Sequence, residues 1–237
     1  MSEEFLKNRD FVVPGDEILK SMDYLPGRNT YREGESIHAK KLGLTSVSGR
    51  VVSVIPLNSV YIPKAGDMVV ARVIDIQSNG WVLYVSPICN AFLSLSGVRQ
   101  YIDTNRMSLA SVYSINNLLY TNISAVNQLD SVYVTMQDPK ARKLDDGRLI
   151  NINPAKIPRI IGKEGSMITM IKNKSGCRIC IGQNGIVWIQ GREAEAVIEI
   201  LRLIESQPYA EGLTDKVAKM LDNMKAEEIK DDYGDES

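Results

Sequence analysis

One stretch constrains the fold of this chain more than any other: Ile160-Ile161-Gly162-Lys163-Glu164-Gly165-Ser166-Met167-Ile168-Thr169-Met170-Ile171. Two glycines three residues apart are common in proteins. Here Ile157, Ile160 and Ile161 precede them, and Ile168 and Ile171 follow at helical spacing. The stretch therefore reads as a helix end, a tight turn and a helix start. Ser166 is placed to cap the second helix and Gly176 to stop it. Cys177, Ile179 and Ile181 then alternate as a strand, Gln183-Asn184-Gly185 supplies a hairpin turn, and Ile186 to Gln190 returns. A helix is expected from Arg192 to Ser206, with Ala194, Val197, Ile198, Leu201 and Ile204 on one face. With Leu149 to Ile152 as a leading strand, the order is β-α-α-β-β-α.

That order, with Gly-x-x-Gly between its first two helices, resembles the type I KH domain, in which the loop clamps the sugar-phosphate chain of single-stranded RNA. The chemistry suits the residues. Gly162 and Gly165 carry no Cβ, so a phosphate can approach the backbone. The helix opening at Ser166 offers free N–H groups and the positive end of its dipole. Lys163 adds a charge that Glu164 opposes. The RNA-binding candidates are Ile161, Gly162, Lys163, Glu164, Gly165 and Ser166, joined by the nearby cations Lys156, Arg159, Lys172 and Arg178. A net charge of −1 alone argues against a nucleic-acid partner. Between Lys140 and Arg178, however, ten basic residues face three acids, a local patch able to steer RNA.

Upstream, Gly66-Asp67 opens a run of short strands: Met68 to Ile76, Trp81 to Val85, Ala91 to Leu95, Ser131 to Met136 and Arg142 to Leu144. Five such strands resemble the S1-type OB-fold. The resemblance puts Asn79 and Val82 where that family carries stacking aromatics, and Ser94 where it carries His. Alternation places Trp81 with Leu83 and Val85, in the core. Any RNA contact here is expected through charge and loops, with Arg72, Arg99 and Arg106 as candidates. Within the Ser- and Asn-rich segment 97–128, a helix near Leu109 to Leu119 and an extended loop are both open readings. Residues 1–63 read as β-rich: a strand from Phe11 into a turn at Asp16, a loop from Tyr24 to Arg32, and β-like alternation in Ile37 to Leu44 and Gly49 to Leu57. After the KH-like unit, Val217, Met220, Leu221 and Met224 form the stripe of a last helix, which packs on its own chain or on a partner. An acidic tail from Glu227 is expected to be disordered.

The fold class is therefore mixed and multi-domain. It comprises a β-rich N-terminal docking domain (1–63), a five-stranded OB-fold β-barrel (64–145), a type I KH α+β domain (146–210), and a C-terminal helix with its tail (211–237). No catalytic site, metal site or cofactor is expected. Cys177 and Cys180 lie on opposite faces of one strand and lack the second ligand pair of a zinc site. No nucleotide-binding or hydrolase motif is present. No apolar run is long enough to span a membrane, the first residues are unlike a signal peptide, and three cysteines suggest a reducing cytoplasm.

The succession of the three units resembles the KH-bearing RNA-binding cap subunits of the archaeal exosome. It is carried most specifically by Ile157-Pro158-Arg159-Ile160-Ile161-Gly162-Lys163-Glu164-Gly165-Ser166 and Gly182-Gln183-Asn184-Gly185-Ile186-Val187-Trp188. Val12 to Asp16, Thr30 to Gly34, Val54 to Leu57, Gly66 to Val69, Gly80 to Val82 and Gly212 to Asp215 add to it. The resemblance implies a non-catalytic subunit that captures single-stranded RNA, favours adenine-rich tails, and guides the 3′ end into a hexameric ring of phosphorolytic ribonuclease subunits. Three copies would form the cap, with or without the zinc-ribbon cap subunit. Two other classes remain open on the sequence: a free-standing RNA-binding regulator and an RNA-degrading enzyme.

Overall fold

The computed structural model describes residues 9–103, 107–127, 131–207 and 212–222. The expected acidic tail from Glu227, and Met224 of the last stripe, lie outside them. The chain divides into two compact units, one ending at Val60 and the other beginning at Tyr61.

Among the described residues the first unit is built of seven short strands: β1 (Phe11–Val12), β2 (Glu17–Lys20), β3 (Leu25–Pro26), β4 (Thr30–Glu33), β5 (Ser36–Ala39), β6 (Gly43–Ser48) and β7 (Val51–Pro56). They form sheets of order β1-β6-β7-β3 and β2-β5-β4. Ile18, Ile37, Val52 and Val54 anchor the small core. The expected loop from Tyr24 to Arg32 instead contributes β3 and most of β4. Pro26 fits because its neighbours do the pairing: Leu25 N–H donates to Arg50 O and Gly27 N–H to Val52 O.

In the second unit β8 (Met68–Gln77), β9 (Gly80–Ser86), β10 (Cys89–Ser94), β11 (Leu118–Val126) and β12 (Val132–Thr135) close a five-stranded barrel. Its cyclic order is β8-β9-β10-β12-β11, with β10 and β12 parallel. Trp81 is fully buried, as alternation required, and its Nε1 donates to Tyr113 O at 2.9 Å. Two expectations are corrected. The segment 97–128 holds the nine-residue β11, and its only α-helix among the described residues is the single turn α1 (Leu109–Val112). Strand 131–136 is consequently the fifth barrel strand and not the fourth, while β13 (Arg142–Leu144) pairs only with β11, outside the closure. In β11 the inward row is Leu119, Thr121 and Ile123. The buried hydroxyl of Thr121, which donates to Thr135 O at 2.9 Å, hides the alternation.

The KH-like region follows as β14 (Arg148–Asn151), α2 (Ile157–Ile161), α3 (Ser166–Ser175), β15 (Arg178–Ile181), β16 (Ile186–Gln190) and α4 (Ala194–Ser206). This is the expected β-α-α-β-β-α succession, with an antiparallel sheet of order β14-β16-β15. The last helix, α5 (213–222), packs on its own chain: Leu213, Val217 and Leu221 join the core of α2, α3 and α4, and Lys174 Nζ pairs with Asp222 at 2.6 Å. Cys177 lies in this core, whereas Cys180 faces the barrel beside Val70, Leu144 and Trp188.

Candidate nucleic-acid interface

The Gly-x-x-Gly loop is built from left-handed backbone. Gly162 (φ 77, ψ 178), Glu164 (φ 54, ψ 25) and Gly165 (φ 80, ψ 11) all have positive φ. The two glycines have different reasons to be glycine. A Cβ on Gly162 would lie 2.8 Å from Met167 N and 2.7 Å from Met167 Cβ, so α3 itself requires the bare backbone. A Cβ on Gly165 would meet nothing nearer than Thr169 Oγ1 at 4.0 Å, so that side is open to a ligand. Ser166 is not the cap expected of it. It is the first helical residue, Gly165 holds the N-cap position, and no side chain bonds there. The first N–H groups of α3 thus have no side-chain cap, as an anion site needs. Lys163, Glu164 and Ser166 are exposed.

Ile161 and Ile168 line a cleft of about 680 Å³ between the KH-like region and the barrel, and Lys172 lies in the same cleft. Arg99 of the barrel lines the same cleft, and the other sequence candidates are dispersed. Lys156 is buried, and burial pushes its ammonium below the ordinary pKa while nearby Glu205 opposes the shift. Arg159 is half-buried, with its Nε sequestered and unpartnered. Arg178 is exposed at the head of β15. Arg72 is exposed on β8, directly opposite Tyr84 of β9. Arg99 is committed to backbone: Nε donates to Met136 O at 2.8 Å, and Nη2 to Ala141 O at 3.0 Å and to Asp138 O. Arg106 lies outside the described residues.

A second Gly-x-x-Gly, Gly182-Gln183-Asn184-Gly185, turns β15 into β16. It is the hairpin turn expected there, with Gly185 N–H donating to Gly182 O at 3.0 Å. Its side chain has a further task. Asn184 is buried, and its Nδ2 donates to Val70 O at 2.8 Å and to Val85 O at 2.7 Å, while its Oδ1 accepts from Val70 N–H at 3.3 Å. Gln183 N–H donates to Met68 O at 2.8 Å, and Tyr120 hydroxyl to Ile181 O at 3.2 Å. The hairpin is thereby bolted to the barrel, and Gly182 permits it: a Cβ there would sit 2.7 Å from Val70 N.

Sequence reasoning also missed part of the barrel surface. Val82, Phe92 and Tyr133 stand in one cross-strand row, since Phe92 pairs with Val82 on one side and with Tyr133 on the other. Tyr133 is 42% exposed. The signal was present: Val132 and Val134 are buried, so alternation alone turns Tyr133 outward. Among the described residues no three His, Cys, Asp or Glu side chains cluster as a metal site would, and no helix is long and apolar enough to cross a membrane.

Comparison with known proteins agrees with this architecture. The KH domain family profile matches residues 148–206, and that of the RRP4 S1 domain residues 60–125. A crystal structure provisionally described as an exosome complex RNA-binding protein shares the fold with a TM-score of 0.62 at 23% identity, over 71% of this chain and 98% of its own. The exosome complex component Rrp4 of Methanothermus fervidus is 36% identical over 92% of this chain and 97% of its own length. That of Thermococcus kodakarensis is 36% identical over 93% and 88%. With both domain profiles matched in the expected order and such relatives aligned nearly end to end, this chain belongs to the Rrp4 family of exosome complex components.

Proposed function

We propose that this non-catalytic RNA-binding subunit of the exosome captures single-stranded RNA, with a preference for adenine-rich tails, and guides the 3′ end towards a hexameric ring of phosphorolytic subunits in the cytoplasm. The observation that carries the capture step is the open Gly165 end of the Gly-x-x-Gly loop, at the uncapped N-terminus of α3 and beside the apolar Ile161 and Ile168. A loop of this kind holds about four nucleotides, so affinity per copy is modest. Three copies around one pore, alone or mixed with the zinc-ribbon subunit, raise the effective concentration of sites. Phe92 and Tyr133 offer a stacking surface on the barrel in place of the aromatics absent at Asn79 and Val82. The division of labour follows the boundaries near residues 63, 145 and 210.

The first unit is read as the ring-docking part. Its sheet presents a continuous apolar row across three strands: Phe11 opposite Leu44, and Leu44 opposite Ile55. Phe11 is 58% exposed, an expensive arrangement for an isolated surface. The test is co-elution with the ring subunits in size-exclusion chromatography, with Phe11→Glu/Ile55→Glu as the comparison. The wild type is expected to join the ring and the double variant to elute alone while still binding RNA. A wild-type chain that elutes alone would instead identify a free-standing RNA-binding regulator.

A further inference from the structure

The cleft between the KH domain and the barrel has a different chemistry on each side. On the KH side Ile161, Ile168 and Ile181 form an apolar floor. On the barrel side the loop leading into β13 brings up Lys140, and the first residue of β13 is Arg142, both facing Lys172 of α3. This barrel loop is fixed in place. Arg99 ties down its carbonyls at Met136, Asp138 and Ala141, and Lys140 N–H donates to Asp138 Oδ1 at 2.8 Å. Arg142 Nη2 in turn donates to Cys180 Sγ at 3.0 Å, which holds the guanidinium over β15.

A fourth cation lining the cleft, Arg99, is committed to those carbonyls, and among the described residues the other three lack a counter-charge. Among the described residues none of them forms an ion pair. Among the described residues the one carboxylate lining the cleft, Asp67, already accepts the Tyr61 hydroxyl at 2.8 Å. Burial lowers the pKa of the Lys172 ammonium, Cys180 opposes the shift, and repulsion from Arg142 and Lys140 adds to it. Like charges held together on fixed backbone favour an anion between them. An apolar floor beside a cationic rim favours unpaired bases linked by phosphates over a duplex, whose bases are already stacked and paired.

We propose that the cleft is a composite single-stranded RNA channel, in which Lys140 and Arg142 of the barrel, with Lys172 of α3, bind phosphates leaving the Gly-x-x-Gly loop while the bases lie on Ile161 and Ile168. The channel rests on the reading of the chain as an RNA-binding exosome subunit, and goes beyond it by making the KH grip dependent on residues outside the KH domain. An isolated KH region would lack one wall.

The test is fluorescence anisotropy of a 5′-labelled oligoadenylate against the full chain at low salt. Lys140→Glu/Arg142→Glu is expected to bind roughly tenfold more weakly, with the slope of log affinity against log salt falling by ~0.7 for each phosphate no longer neutralised. Arg192→Glu, an exposed change outside the cleft, is expected to stay within about twofold of wild type. Lys140→Glu alone leaves the hydrogen bond from Arg142 to Cys180 intact and is expected to show a smaller loss in the same direction. Cross-linking of 4-thiouridine RNA to the wild-type chain should label peptides containing residues 137–143 and α3. The proposal is overturned if the double variant binds like wild type, or if no cross-link falls on residues 137–143. Should Gly165→Asp still weaken binding in that case, the Gly-x-x-Gly reading survives without the channel.

Discussion

The KH region contains two Gly-x-x-Gly segments, Gly162 to Gly165 and Gly182 to Gly185, and they have opposite fates. The first is exposed, carries Lys163 and Glu164 outward, and leaves a helix N-terminus without a side-chain cap. The second is turned inward, with Asn184 making three hydrogen bonds to the backbone of the barrel. Equal glycine spacing produces a ligand loop in one place and an interdomain bolt in the other. The two residues between the glycines decide: charged side chains must remain solvated, whereas one Asn can satisfy a buried donor and two buried acceptors at once.

The largest effect is expected at the bolt. Asn184→Leu leaves Val70 O, Val85 O and Val70 N–H without their side-chain partner, at a cost of about 3 kcal/mol. Urea denaturation followed by tryptophan fluorescence reads this directly, because Trp81 lies in the barrel and Trp188 between the barrel and the KH sheet. The variant is expected to unfold at lower urea than the wild type, with the Trp188 signal leaving first. A loss below ~0.5 kcal/mol would reduce the second segment to an ordinary turn.

Next in size is a contrast inside the first loop. Gly162→Ala drives a Cβ into the backbone of α3 and is expected to destabilise the chain by about 2 kcal/mol. Gly165→Asp has room, costs only about 1 kcal/mol for its left-handed backbone, and should weaken oligoadenylate binding about tenfold by placing a carboxylate where a phosphate would sit. Thermal melts and anisotropy together separate the two roles. Equal stability losses would mean that both glycines serve the fold alone.

These roles were unequally legible in the sequence. The KH succession could be read because its strands and helices are short, strongly periodic and bounded by Gly176 and the 182–185 turn. Trp81 could be placed because Leu83 and Val85 share its face. β11 could not: its inward row includes Thr121, and its flanks are rich in Ser and Asn, so apolar alternation falls below what a polar loop shows. The bolt was invisible for another reason. Asn-Gly favours a hairpin turn wherever it occurs, and only the position of the barrel edge tells that this Asn is buried. Lys140 and Arg142 fall in the basic run, but their convergence with Lys172 depends on how β13 leaves the barrel, which residue spacing does not encode. In the other direction, Lys156 looks like an RNA contact by charge and is buried, while Arg99 lines the cleft but spends its guanidinium on barrel carbonyls.

The smallest effect tests Glu164, the residue that makes the first segment least like a phosphate clamp. Its left-handed backbone costs a side chain ~1 kcal/mol or more, and its carboxylate opposes Lys163 beside the open N-terminus of α3. Glu164→Gly removes both penalties but adds chain entropy of ~0.5–1 kcal/mol to the unfolded state, so stability should change little. Glu164→Asn also removes the charge, keeps a side chain tolerant of this conformation, and should be the more stable of the two. If charge governs RNA capture, both variants bind oligoadenylate a few-fold more tightly than wild type at low salt, and the gain fades as salt screens it. If backbone freedom governs, only the Gly variant changes. Equal affinity in all three chains would place the phosphate away from Glu164, towards the Gly165 end and the cations of the cleft.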